Sequence, residues 1–317
     1  MNRNRKFFIK LIVFLLLAAG LNFLFNAVYN HWMYYFRLAR TQDRQFEALT
    51  SSPRYLMLGN SHNRINPGII GNAFCYIMPK EVYTQTYYKL KYILERTGKK
   101  PEAIFLSIDP VNFSPKACTE LPFDGYWKKY LDYRELAEEY KDPIYLSYWA
   151  GGTLFSYVGN YRYAYMSLFY LGYDPDQIKN GYIPARDYLN FAKDPNRDIQ
   201  AYAIATAYLS SYSGKSLIGD CRYYVKILEL CKQYGIELIL LRMPLSDEYL
   251  KYAGRIIDIE RVDHEILELT RKHCTNFRLY DFRHEFEGKQ GYFFNADHIN
   301  PAGVSIISEK IRKDLGR

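Results

Sequence analysis

Apolar residues fall into three patterns along the chain, and each predicts a different kind of element. From Phe7 the chain is almost wholly apolar, and Leu11 to Asn30 carries no charge. About 20 such residues cross a bilayer as a helix, so this run predicts a transmembrane anchor. Lys10 reaches the headgroups on its long stem. The basic residues ahead of the run place the N-terminus in the cytoplasm and the rest outside, periplasmic or extracellular. A signal peptide with a cleavage site near Leu17-Ala18-Ala19 is the competing reading. The apolar run continues through Leu21, Phe23, Leu24 and Phe25, which a cleavage region would not need.

The second pattern is the short apolar run bounded by turn residues. Runs at Arg54–Leu58, Gly71–Ile77, Ala103–Ile108, Ile236–Leu241 and Phe277–Phe282 predict buried strands. The third is helical spacing, over Glu81–Thr97, Cys221–Tyr234, Ile259–His273 and Pro301–Leu315, with Ile65–Ile70 a turn into a short helix. Gly98 and Gly235 stand where a left-handed cap ends a helix. Strand and helix in alternation specify an α/β fold in three layers, α/β/α, around a mostly parallel central sheet.

Between Val111 and Ser216 the alternation fails. Tyrosines crowd this stretch, and helical spacing survives only around Asp132–Tyr140 and Arg197–Ser211. The stretch reads as a helical insertion, a lid or a substrate-binding element. Its tyrosines either stack on sugar rings or simply pack one another. The chain thus divides into a cytoplasmic tip and anchor (1–30), a connector (31–52) and an α/β domain (53–317) with an insertion at about 111–216. Trp32, Tyr34, Tyr35 and Phe36 suit an interfacial aromatic belt.

Composition changes this picture little. With 317 residues and 49% hydrophobic content the chain can bury a large core. The net charge of +8 owes four charges to Arg3, Arg5, Lys6 and Lys10, so it does not imply nucleic-acid binding. The five cysteines form no Cys-x-x-Cys pair, which argues against zinc and redox motifs. They read as buried thiols, although a pair could bridge in an oxidising compartment.

Two stretches carry candidate chemistry. Tyr55-Leu56-Met57-Leu58-Gly59-Asn60-Ser61-His62-Asn63-Arg64 is a strand running into a sharp turn, with Gly59 removing a Cβ that would clash. Ser61 would then stand at the carboxyl end of the sheet, where open α/β sheets keep their crevice. In Asn295-Ala296-Asp297-His298-Ile299-Asn300-Pro301-Ala302-Gly303, His298 is a base for Ser61, Asn300 a helix cap and Pro301 a first helical residue. Gly303 lets that helix pack closely. His62 and Arg64 either bind an anionic substrate or contact the loop. A metal held by His62, Asp297 and His298 lacks a supporting ligand motif, so no cofactor is expected.

Together Gly-Asn-Ser-His and His-Ile-Asn-Pro-Ala-Gly resemble the SGNH (GDSL-like) hydrolase superfamily, whose fold is flavodoxin-type. Closer still is the resemblance to membrane-anchored members, the lipoteichoic-acid D-alanylation and alginate-type O-acetylation proteins. It implies Ser61 as nucleophile and His298 as base. The superfamily carries its acid three places before the histidine, where this chain has Asn295. Asp297 supplies the acid instead, or an amide orients a Ser–His dyad, or activity is lost. Asn60, Asn72 and Asn295 are the candidate oxyanion or supporting amides. The superfamily's Gly-x-Asn-Asp block is missing at Asp109-Pro110-Val111-Asn112, after the third strand. The implied function is acyl transfer, or acetyl-ester hydrolysis, on a cell-envelope glycan, with a multi-spanning membrane O-acyltransferase as partner. The alternative is a non-catalytic glycan-binding or scaffolding protein of the same machinery.

Overall fold

The computed structural model describes residues 3–32, 34–119, 125–154, 177–183, 190–212 and 221–316. In chain order its elements are α1 (Arg3–Trp32), α2 (Tyr34–Glu47), β1 (Tyr55–Leu58), α3 (Pro67–Ile70), β2 (Ala73–Cys75), α4 (Tyr83–Tyr92), β3 (Ala103–Ser107), α5 (Pro115–Thr119), α6 (Tyr133–Tyr140) and α7 (Ile144–Leu154). Then come α8 (Arg197–Leu209), α9 (Arg222–Tyr234), β4 (Glu237–Arg242), α10 (Asp247–Ile256), α11 (Ile259–His273), β5 (Phe277–Asp281), the hairpin strands β6 (Phe293–Asn295) and β7 (His298–Ile299), and α12 (Pro301–Leu315). They form two compact units, one of residues 1–41 and 122–175, the other of 42–121 and 176–317.

The larger unit is built on a five-stranded parallel sheet in the order β2-β1-β3-β4-β5. That order is doubly wound: the chain starts in the middle, steps outward to β2, then crosses back to β3. Right-handed crossovers accordingly send α3 to one face and α4 to the other. α4, α9 and α11 pack side by side in one layer, and α3 meets α12 in the other. All four residues of β1 and all five of β3 are buried, the continuous apolar character that a strand covered on both faces requires. Between β1 and β3 the direction of winding reverses. Loops leaving these two strands part there and open a crevice.

The smaller unit contains α1, α6, α7 and a 3-10 turn, Gly125–Lys129. Among the described residues α1 is the one helix long and apolar enough to cross a membrane, and its side chains from Phe7 to Phe25 are mostly exposed. The described tyrosines of this unit pack on one another. Tyr126, Trp127 and Tyr130 form a buried ring cluster, and Tyr140 stacks on Tyr145 at 5.1 Å. Tyr157, Tyr161, Tyr163, Tyr165, Tyr170 and Tyr173 lie outside the described residues.

Several expectations change. The segment 111–216 is not one block: residues 111–119 and the described parts of 176–212, including α8, belong with the larger unit. The connector is largely helical, as α2. α10 stands where no helix was expected, although Ser246 caps it through Tyr249 N and Asp247 and Glu248 fill its first turn. Cys118 and Cys221 form a disulfide, while Cys75, Cys231 and Cys274 are the expected buried thiols.

Candidate active site

β1 ends at Leu58, and Gly59 follows with φ of +99°. A Cβ there would meet nothing closer than 3.7 Å, so glycine is needed for the left-handed backbone and not, as expected, for space. Asn60 then caps a one-turn 3-10 helix, its side chain accepting from His62 N at 3.0 Å. Asn60 is itself held by Asn112, after β3, through a 2.5 Å bond from Asn60 Nδ2 to Asn112 Oδ1. Asn63 ties the turn to the sheet, donating to Leu58 O and Phe105 O, each at 2.7 Å. The Ser61 side chain is thereby fixed at the mouth of the crevice, and its N–H makes no hydrogen bond among the described residues.

The histidine arrives on the β6–β7 hairpin. Asn300 caps α12 by accepting from Gly303 N at 3.1 Å. A Cβ on Gly303 would lie 2.9 Å from Tyr292 O, so only glycine lets α12 press against the hairpin. With the hairpin seated, His298 Nε2 lies 2.8 Å from Ser61 Oγ. His298 Nδ1 lies 2.8 Å from Asp297 Oδ1 and 3.1 Å from Asn295 Oδ1. With its N–H on Nδ1, His298 presents a lone pair to the serine hydroxyl, the tautomer a general base needs.

Of the three acid arrangements left open by the sequence, the geometry favours Asp297, the nearer acceptor and the charged one. Asn295 supports it, since its Oδ1 also accepts from Asp297 N at 3.3 Å. Asn72 is not at the site. Its backbone oxygen accepts from Tyr55 N at the start of β1, which puts it at the amino edge of the sheet, opposite Ser61. Asn60 serves as a cap. The nitrogen of Asn112 is taken by Ser107, at 3.2 and 3.3 Å.

Electrostatics sort the titratable groups. Asp297 is buried, which works against its charge, yet His298 and His62 hold it well below the ordinary carboxylate range. His298 lies below its usual value: burial lowers it, Asp297 pulls it back up, and His62 and Arg64 push it down. It is therefore neutral at pH 7. His62 also borders the cavity that opens on Ser61, but its two nitrogens lie against carboxylates. It is buried between Asp109 and Asp297, and although burial disfavours its charge the two carboxylates raise it to about 10. A small cavity opens on Ser61, with His62, Asp297 and His298 on one side and Arg64, Met243, Pro244 and Ile299 completing its wall. Arg64 is half-buried, its Nε has no hydrogen-bond partner, and among the described residues it makes no ion pair.

His62, Asp297 and His298 place ligand-type atoms within 4.8 Å of one another. Their atoms are already committed. Asp297 turns one oxygen to each imidazole, and the remaining nitrogens face Asp109 and Ser61, so the cluster reads as a line of mutually paired polar groups rather than a metal centre. The described residues thus define a doubly wound α/β protein with a Ser–His–Asp array at its switch point. The chain matches no protein-family model, and no curated protein matches it.

Proposed function

We propose that this chain is a membrane-anchored, SGNH-type serine enzyme that transfers or hydrolyses an acyl group, most simply acetyl, on a cell-envelope glycan outside the membrane. The observation that carries this reading is the Ser61–His298–Asp297 array, two contacts of 2.8 Å in series at the carboxyl end of a parallel sheet. Ser61 Oγ gives its proton to His298 Nε2 as it attacks the acyl carbonyl. Asp297 holds the ring and stabilises the imidazolium that forms. The Ser61 N–H is available to the developing oxyanion. As the tetrahedral intermediate collapses, His298 returns the proton to the leaving alkoxide. An acceptor hydroxyl or water then releases the acyl group from Ser61 by the same steps in reverse.

Further observations support the setting. The strand order suits an SGNH-like sheet. α1 suits an anchor, and the Cys118–Cys221 disulfide suits an oxidising compartment. Arg64 beside the nucleophile suits an anionic envelope polymer. A multi-spanning O-acyltransferase would deliver the acyl group through the bilayer. The test is turnover of a chromogenic acetyl ester by the full chain in detergent, with Ser61→Ala as control. Turnover lost in the variant supports the reading. Equal turnover in both refutes it, and none in either favours the glycan-binding scaffold.

A further inference from the structure

His62 and, behind it, Asp109 are the members of the polar cluster that the reaction above does not use. His62 Nδ1 lies 3.4 Å from Asp109 Oδ2 and its Nε2 3.5 Å from Asp297 Oδ2. A neutral imidazole carries one N–H, so one of these contacts would set a lone pair against a carboxylate. Only the doubly protonated ring satisfies both. Its plane lies beside that of His298, with centroids 4.6 Å apart. Asp109 is fixed in turn by Ser107 Oγ at 2.8 Å. The groups run in one line, Asp109, His62, Asp297, His298, Ser61, with alternating carboxylate and imidazole.

We infer that His62 is a positioning residue, a buried imidazolium held between two carboxylates, that pins the second oxygen of Asp297 and so keeps Asp297 ionised and His298 neutral. The inference rests on the acyl-transfer reading above. A carboxylate as buried as Asp297 needs a counter-charge. His298, neutral at rest, does not supply one, and His62 does. His62 also opposes protonation of the adjacent His298, which would disable the base. The other charged or titratable groups around His62 are Arg64, across the nucleophile cavity, and Arg283 and Tyr249, across a second cavity behind Asp109. Arg283 is already bound to Asp263 through both terminal nitrogens, leaving His62 as the cation that touches Asp297.

The test is the pH dependence of fluorophosphonate labelling of the full chain in detergent, for wild type, His62→Gln and Asp109→Asn. Removing the positive charge should move the acid limb upward by about one pH unit. Removing the outer negative charge while His62 stays should move it the other way. A merely structural His62 would slow labelling in both variants without opposite shifts, and unshifted or like-shifted limbs overturn the inference. Ring ¹⁵N signals of the histidines test it apart from activity. One doubly protonated ring should persist at pH 8 and vanish in His62→Gln. Its absence from wild type at pH 8 overturns the inference even if Ser61 reacts, whereas its presence in an unreactive chain faults only the acyl-transfer reading.

Discussion

Two buried charge clusters in the larger unit make opposite use of the same physics. On one face of the sheet Lys89 and Glu81 are both wholly inaccessible and 2.6 Å apart. Lys89 Nζ also donates to Tyr76 O at 2.8 Å, and Glu81 accepts from Thr86 Oγ1 at 2.8 Å. That pair is closed, because each charge meets a tight partner and nothing faces outward. The Asp109–His62–Asp297–His298 line is looser. Its ion pairs on His62 are 3.4 and 3.5 Å long, and His62 Nδ1 and Asp109 Oδ1 lack proper hydrogen bonds. Its last member reaches a serine at a cavity. Short, saturated contacts lock a structure, whereas an incompletely saturated line ending at a nucleophile keeps a proton movable.

Substitutions that remove the reacting atoms should separate the clusters most strongly. Ser61→Ala or His298→Ala should lower ester turnover on the order of 10⁶-fold, the scale seen when either partner is lost from a serine-protease triad, with thermal unfolding little changed. Asp297→Ala should cost ~10⁴ in turnover through loss of the correct tautomer. Asn295→Asp should change turnover little, or lower it by setting two carboxylates against one ring. A large gain in Asn295→Asp would instead make that position the acid's.

Lys89→Met should show the reverse profile. Leaving Glu81 buried without its partner should cost about 3–5 kcal/mol in chemical denaturation, while turnover per folded molecule holds. A matching loss of turnover would mean that the closed pair also serves the site. Stability against pH sharpens the contrast. His62, raised from 6.5 to about 10, contributes stability that is fully present below pH 6.5 and lost as pH rises towards 10. His62→Gln should flatten that decline, which unfolding curves at pH 7 and 9 would register. The smallest effect belongs to Arg64→Gln, roughly a tenfold rise in KM for an anionic ester and none for a neutral one.

The strands were legible because parallel strands covered on both faces read as unbroken apolar runs, as in Ala103–Ile108 and Ile236–Leu241. Ser61 and His298 were legible because a glycine turn and a capped, proline-started helix leave local signatures. Asp297 could be preferred to Asn295 only as the carboxylate kept beside the base, because the hairpin geometry that turns one of them to His298 has no sequence period. The Asp109–His62 contact was illegible for a related reason. It joins loops after two different strands, and only the sheet order makes them neighbours. Asn72 misled because a turn asparagine looks the same at either edge of a sheet.

Whether Ser61 is a nucleophile activated by His298 is tested by peptide mapping of the full chain after fluorophosphonate treatment, alongside His298→Ala. A single covalent adduct is expected on the peptide containing Ser61, formed in wild type and nearly absent from the variant. An adduct on another residue, or one on Ser61 that forms equally fast without His298, would contradict this expectation.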